Sequence, residues 1–142
     1  MIERFDFKSF IDAASDGIIA AGTDGKIVFW NAAATRIFGF PAEEALGASL
    51  DLIIPERFRA RHWEGYRRVM STGETKYQSD VLRVPARHRD GKSLSIAFTV
   101  TLLESPDGKG RLIAAIVRDE TARWNEERAL RQKVSELEQQ TK

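Results

Sequence analysis

The sequence predicts an α+β fold, a single β-sheet covered by helices on one face, and three observations carry that expectation. Two short apolar runs flank the tight-turn triplet Thr23-Asp-Gly25. A stretch punctuated by the helix-opening prolines Pro41 and Pro55 follows, and then three more extended runs, separated by Arg89-Asp-Gly91 and Pro106-Asp-Gly108. Strands at both ends, with the helices gathered into one long crossover, give a sheet layered under helices rather than alternating βαβ units.

Each element has its own local reason. Asp6 suits the cap of a short helix in which Phe7, Phe10, Ile11 and Ala14 recur at i, i+3, i+4 and i+7. Asp16-Gly17 breaks that helix, and residues 18–21 and 26–30 read as the strands of a hairpin. Asn31 is placed to cap a helical segment running through Ala34 to Phe38. Pro41 opens the next helix, with Glu43 and Glu44 in its first turn and Gly47 at its end. Pro55 opens a longer helix that Ser71-Thr-Gly73 closes, and its apolar stripe is Phe58, Tyr66 and Val69. Residues of about 78–88 are expected as a strand. In 92–103, Leu94, Ile96, Phe98, Val100 and Leu102 alternate with Ser95, Ala97, Thr99 and Thr101, so the even-numbered side chains should face the helices. Residues 112–117 supply the last strand.

From Thr121 the composition changes. Leu130, Val134 and Leu137 stand 4 and then 3 apart among charged residues and glutamines, and Glu127 with Arg131 makes an i, i+4 pair. This stretch is expected to begin a parallel coiled coil; the alternative is a solvated tail.

The bulk numbers exclude several classes. Twenty-two Lys and Arg against 21 Asp and Glu leave a net charge of +1, which gives no general electrostatic case for nucleic acid or a membrane surface. The cluster Arg57, Arg59, Arg61, Arg67 and Arg68 is interrupted by Glu56 and Glu64. The absence of cysteine excludes disulfides, thiolate catalysis and iron–sulfur clusters. No apolar run approaches the ~18 residues of a spanning helix, and the first residues do not resemble a signal peptide, so a cytoplasmic location is expected. There is no nucleophile elbow, P-loop or zincin motif, and no catalysis is expected. His88, in a polar turn, is expected to be solvated.

His62 is the chemically informative residue. It lies between the apolar positions of its helix, and an imidazole turned toward a core needs a partner. A backbone carbonyl and a metal both qualify, and Gly65, one turn on, leaves room for something flat.

Taken together, Asp16-Gly-Ile-Ile19, Asp24-Gly25 before Val28-Phe-Trp-Asn31, Ala33, Phe38-Gly-Phe40, Glu44-Ala-Leu-Gly47, Arg89-Asp-Gly91 and Arg118-Asp-Glu-Thr121 resemble a PAS domain over roughly residues 10–121. The resemblance implies a five-stranded antiparallel sheet, a ligand pocket between sheet and helices, and a short Asp-x-Thr motif handing over to a signalling helix. Within the family, residues 53–69 are similar to the haem-binding PAS sensor domains of the FixL type. That likeness implies His62 as the axial ligand of haem b, with Arg68 and Lys76 toward its propionates. It also implies a distal wall of Tyr77, Leu82, Phe98 and Val100. Where those oxygen sensors place a distal arginine this chain has Leu82, and Arg83 should point to the other face of its strand. The resemblance thus implies a sensor of a diatomic gas (O2, CO or NO) or of redox state, relaying to a downstream output domain.

The expected organisation is a flanking helix in 1–15, the sensor domain in 16–120 and the start of the signalling helix in 121–142. Two rival readings stand beside the haem sensor. One is a pocket for FAD or another small metabolite, with Trp30 and Trp63 as stacking faces. The other is a cofactor-free module forming a homodimer through the Phe5, Phe7 and Phe10 segment and the C-terminal helix.

Overall fold

The computed structural model describes residues 4–75 and 80–141. Helix α1 (Phe7–Ala13) is capped as expected, the Asp6 carboxylate accepting from the Ser9 N–H at 3.0 Å. Strands β1 (Gly17–Ala21) and β2 (Ile27–Trp30) form the hairpin. Helices α2 (Ala32–Phe38), α3 (Ala42–Ala45) and α4 (Arg59–Thr72) make the crossover, with short 3-10 turns at Leu50–Ile53 and Glu56–Phe58. Strands β3 (Leu82–Arg87), β4 (Ser93–Glu104) and β5 (Arg111–Asp119) complete the sheet, and α5 (Thr121–Gln140) leaves it. The expected start near residue 78 lies outside the described residues; Asp80 and Val81 are not in a strand, and the described β3 begins at Leu82.

The sheet order is β2-β1-β5-β4-β3, with every neighbouring pair antiparallel. Register puts Leu82, Phe98, Val117 and Gly17 in one row of the inner face, and Val100, Ala115, Ile19 and Trp30 in the next. The even-numbered prediction for β4 holds in its first half, where Leu94 and Ile96 are buried; Val100 and Leu102 are only half-covered. Ala97, on the outer face, is buried as well; in the register it lies between Arg83 and Arg118.

Asn31 ties the first third of the chain together. Its Oδ1 accepts from the N–H groups of Ile18 (2.9 Å) and Ala34 (3.0 Å), while its Nδ2 donates to the carbonyls of Ile11 (2.9 Å) and Asp16 (3.1 Å). Buried at 1 % exposure, this side chain has all four of its hydrogen-bonding positions used, which offsets the cost of removing an amide from water. It fixes where α1 meets the sheet as well as where α2 begins.

Candidate functional site

Helix α4 carries the candidate site. Because Phe58 belongs to the 3-10 turn and α4 starts at Arg59, the inward stripe is His62, Trp63, Tyr66 and Met70, in place of Phe58, Tyr66 and Val69. Tyr66 and Met70 are buried and pack with Ala21, Leu50 and Ile113, whereas Val69 stays half-exposed. Polar contacts pin the helix along its length. Arg59 donates to the carbonyls of Ile54 (3.0 Å) and Asp51 (3.1 Å), and the Trp63 indole donates to Asp51 Oδ1 at 2.7 Å. The Tyr66 hydroxyl donates to the Gly22 carbonyl, and Arg111 donates to the Met70 carbonyl near the far end. Burial pushes the Tyr66 hydroxyl well above its ordinary pKa, so it remains a donor.

His62 is half-buried, its ring edge-on to Trp63 (centroids 4.6 Å apart) and tilted against Tyr66 (5.6 Å). Its Nδ1 is buried without a hydrogen-bond partner. The backbone-carbonyl partner open at the sequence level is therefore absent at this nitrogen, and such orphaned atoms call for a specific explanation. Burial holds the imidazole pKa below its ordinary value, with Asp51 acting weakly in the opposite sense, so the ring is neutral at pH 7 and has a lone pair to donate. A Cβ built on Gly65 meets no atom within 4 Å, so α4 borders open space beside that residue.

The distal-wall residues are partly assembled. Leu82 and Phe98 are direct register partners on the inner face, and Val100 lies one row along. All three stay half-exposed. Arg83 faces the other way, as expected, and pairs with Glu120 at 3.2 Å. Arg68 is exposed and pairs with Glu64 one turn back at 3.5 Å. Lys76 and Tyr77 lie outside the described residues. Among the described residues no group of three or more His, Cys, Asp or Glu side chains is arranged to cage a metal ion. A haem iron needs only one protein donor; the neutral His62 would supply it through Nε2, since Nδ1 is buried beneath its neighbours.

Other residues sit differently from expectation. His88 is not simply solvated: its side chain is 26 % exposed, its Nδ1 accepts from the Asp90 N–H (3.1 Å), and its ring packs on Gly39. Trp30 is buried against Phe38, its indole donating to Thr35 (3.0 Å) and to the Phe40 carbonyl (3.1 Å). Trp63 lies against Gly25, whose φ of +78° and missing Cβ allow that approach. Asp51, which nothing in the local pattern singles out, is the polar hub of this region.

At the exit from the sheet, Asp119 accepts from the Thr121 N–H (2.9 Å) and hydroxyl. The Thr121 hydroxyl accepts from the Ser95 N–H (3.0 Å), and the Glu120 N–H donates to the Ser95 carbonyl (2.8 Å). The start of α5 is thereby clamped to β4. Arg118 forms a two-pronged pair with Asp16, both bonds 3.1 Å, beside the linker from α1.

This arrangement matches a known class. The PAS fold family profile covers residues 6–119, and the chain belongs to that family. Among relatives, it is 35 % identical over 124 residues to an uncharacterised protein of Azorhizobium caulinodans, covering 87 % of this chain and 17 % of that one. It is 26 % identical over 130 residues to the sensor protein FixL of Bradyrhizobium diazoefficiens (92 % and 25 %), and 25 % identical over 116 residues to the oxygen sensor protein DosP of Escherichia coli (82 % and 14 %). The chain thus spans a quarter or less of each of these relatives. A PAS domain from Colwellia psychrerythraea superposes with a TM-score of 0.68 at 16 % identity, covering 81 % of this chain and 94 % of its own. That likeness shows the shared fold. The chain is a PAS domain, with the family's five-stranded antiparallel sheet.

Proposed function

We propose that this domain binds haem b through His62 and senses a diatomic gas or redox state. The observation that carries the reading is the half-buried His62, neutral at pH 7, with a buried ring nitrogen that no protein group satisfies. The similarity to FixL and DosP, two proteins named as sensors, supports it.

When bound, haem would supply an iron that takes up the gas; the residues do the rest. His62 would hold the iron through a ring nitrogen. Arg68, and Lys76 by the resemblance, would offer cations to the propionates, and Gly65 leaves α4 bare where a flat ring could lie. Leu82, Phe98 and Val100 would offer an apolar wall to the bound gas; the resemblance assigns Tyr77, outside the described residues, to the same wall. Leu82 brings no hydrogen-bond donor, and Arg83 is turned away and held by Glu120. An apolar wall of this kind favours carbon monoxide or nitric oxide over a polar oxygen complex. A displacement of β4 or β5 would pass through Asp119, Glu120 and Thr121 into α5 and on to an output domain. No catalysis is assigned within this stretch.

The test is reconstitution with hemin. Wild type is expected to give a sharp Soret band that His62→Ala shifts or loses and that added imidazole restores. Identical spectra for the two proteins overturn the axial assignment.

The homodimer reading has its own support. Phe5, Phe7 and Phe10 cluster at the surface, with centroids 4.9 and 5.5 Å from Phe5, and Leu130, Val134 and Leu137 are exposed along α5. Dimerisation through the flanking helices, with α5 in a coiled coil, is compatible with the sensor reading. The flavin reading is not favoured, because both Trp30 and Trp63 are engaged in internal packing and hydrogen bonds.

A further inference from the structure

We propose that the cleft bounded by Arg59, Arg87 and Arg89 binds a small amphipathic oxyanion, a carboxylate or phosphate monoester attached to an apolar body. The cleft measures about 340 Å³, is floored by Phe40 and Leu52, and is not lined by His62. The inference therefore does not rest on the haem reading.

Three arginines line this cleft against two acids, Asp51 in the lining and Glu44 behind Arg89, and both acids are already engaged. Asp51 Oδ1 accepts from the Trp63 indole at 2.7 Å and lies 3.9 Å from Arg59 Nε. Two of the arginines are held in place before any ligand arrives. Arg59 is fixed by two backbone carbonyls, at 3.0 and 3.1 Å, and Arg89 by Glu44 at 2.7 Å. Arg87, on the edge strand β3, has no ion-pair partner among the described residues and is free to close on an anion.

Guanidinium forks match the planar oxygens of carboxylate and phosphate, and pinned side chains cost little ordering entropy on binding. The apolar floor selects an organic anion over an inorganic one, because it repays burial of hydrocarbon. The volume is at the lower end of the range for small-ligand sites.

The experiment uses the 142-residue chain without haem, titrated with phenyl phosphate, benzoate and inorganic phosphate at fixed ionic strength. The indole N–H resonance of Trp63, bonded to the lining Asp51, is the reader. A saturable shift with phenyl phosphate or benzoate is expected, the tighter probe naming the head group, and inorganic phosphate should bind several-fold more weakly. Arg87→Ala, and Arg87→Gln with its stem kept, should each weaken binding by about tenfold, the loss of one charge-assisted hydrogen bond. Arg83→Ala, outside the cleft lining and held by Glu120 at 3.2 Å, should leave it unchanged. No saturable shift, equal affinity for inorganic phosphate, or full affinity in the Arg87 variants overturns the proposal.

Discussion

At the scale of single residues, His62 and Asp51 show how differently two side chains can announce themselves. His62 is legible in the sequence, because a histidine among apolar positions at helical spacing must face a core or its edge. The absence of a partner at Nδ1 is not legible, since it depends on Trp63 and Tyr66 crowding the ring. Its lowered pKa leads to a pH prediction. In the unfolded chain His62 protonates near its ordinary value, about 6.5; in the folded chain burial delays protonation to a lower pH. The unfolded state therefore binds more protons between those two values, and stability falls as pH drops through that window. Above the unfolded pKa the stability is fully present. Urea midpoints at pH 8 and pH 5 should differ more for wild type than for His62→Phe. An equal loss in both proteins would sink the assignment.

Among the elements, α4 shows what helical phase does. The stripe expected from Pro55 onward was Phe58, Tyr66 and Val69, but the first turn is 3-10 and the α-helical phase starts at Arg59. A 3-10 turn advances by about 3.0 residues per turn instead of 3.6, so Phe58 leaves the stripe; within α4, Met70 follows Tyr66 by four residues on the same buried face. Gly65 sits mid-helix with no atom within 4 Å of its would-be Cβ. Replacing it with alanine should raise the stability of the haem-free protein by about 0.5–1 kcal/mol, because glycine costs that much backbone entropy in a helix interior. Denaturant unfolding at constant m-value measures it. A destabilised Gly65→Ala would mean that the space beside α4 is filled.

For the whole molecule, the two flanking helices are anchored to the same sheet. Asp16 beside α1 grips Arg118 on β5, and Thr121 and Glu120 at the head of α5 grip Ser95 on β4. Through these contacts a movement of β4 or β5 is felt at both helices. Helix α5 spans roughly 30 Å at 1.5 Å per residue and has no buried residue. It needs packing from elsewhere to be more than marginally stable. Sedimentation equilibrium should show concentration-dependent self-association of the chain. The double variant Leu130→Glu and Val134→Glu should be monomeric at the same concentrations. Wild type that stays monomeric, or an associating double variant, removes α5 from the interface.

The sequence by itself determined the element order, the capping of α1 and α2, the hairpin at Thr23-Asp-Gly25 and the outward turn of Arg83, because caps, turns and strand alternation are local chemistry. Only the tertiary structure decided which charges meet. Arg83 with Glu120 and Arg118 with Asp16 join positions 37 and 102 residues apart. It also placed Asp51 under Trp63 and Arg59, and gathered Arg59, Arg87 and Arg89 around one cleft. Such pairings follow from how the crossover helices lie on the sheet, and a contact made across the fold leaves no periodic trace in the chain.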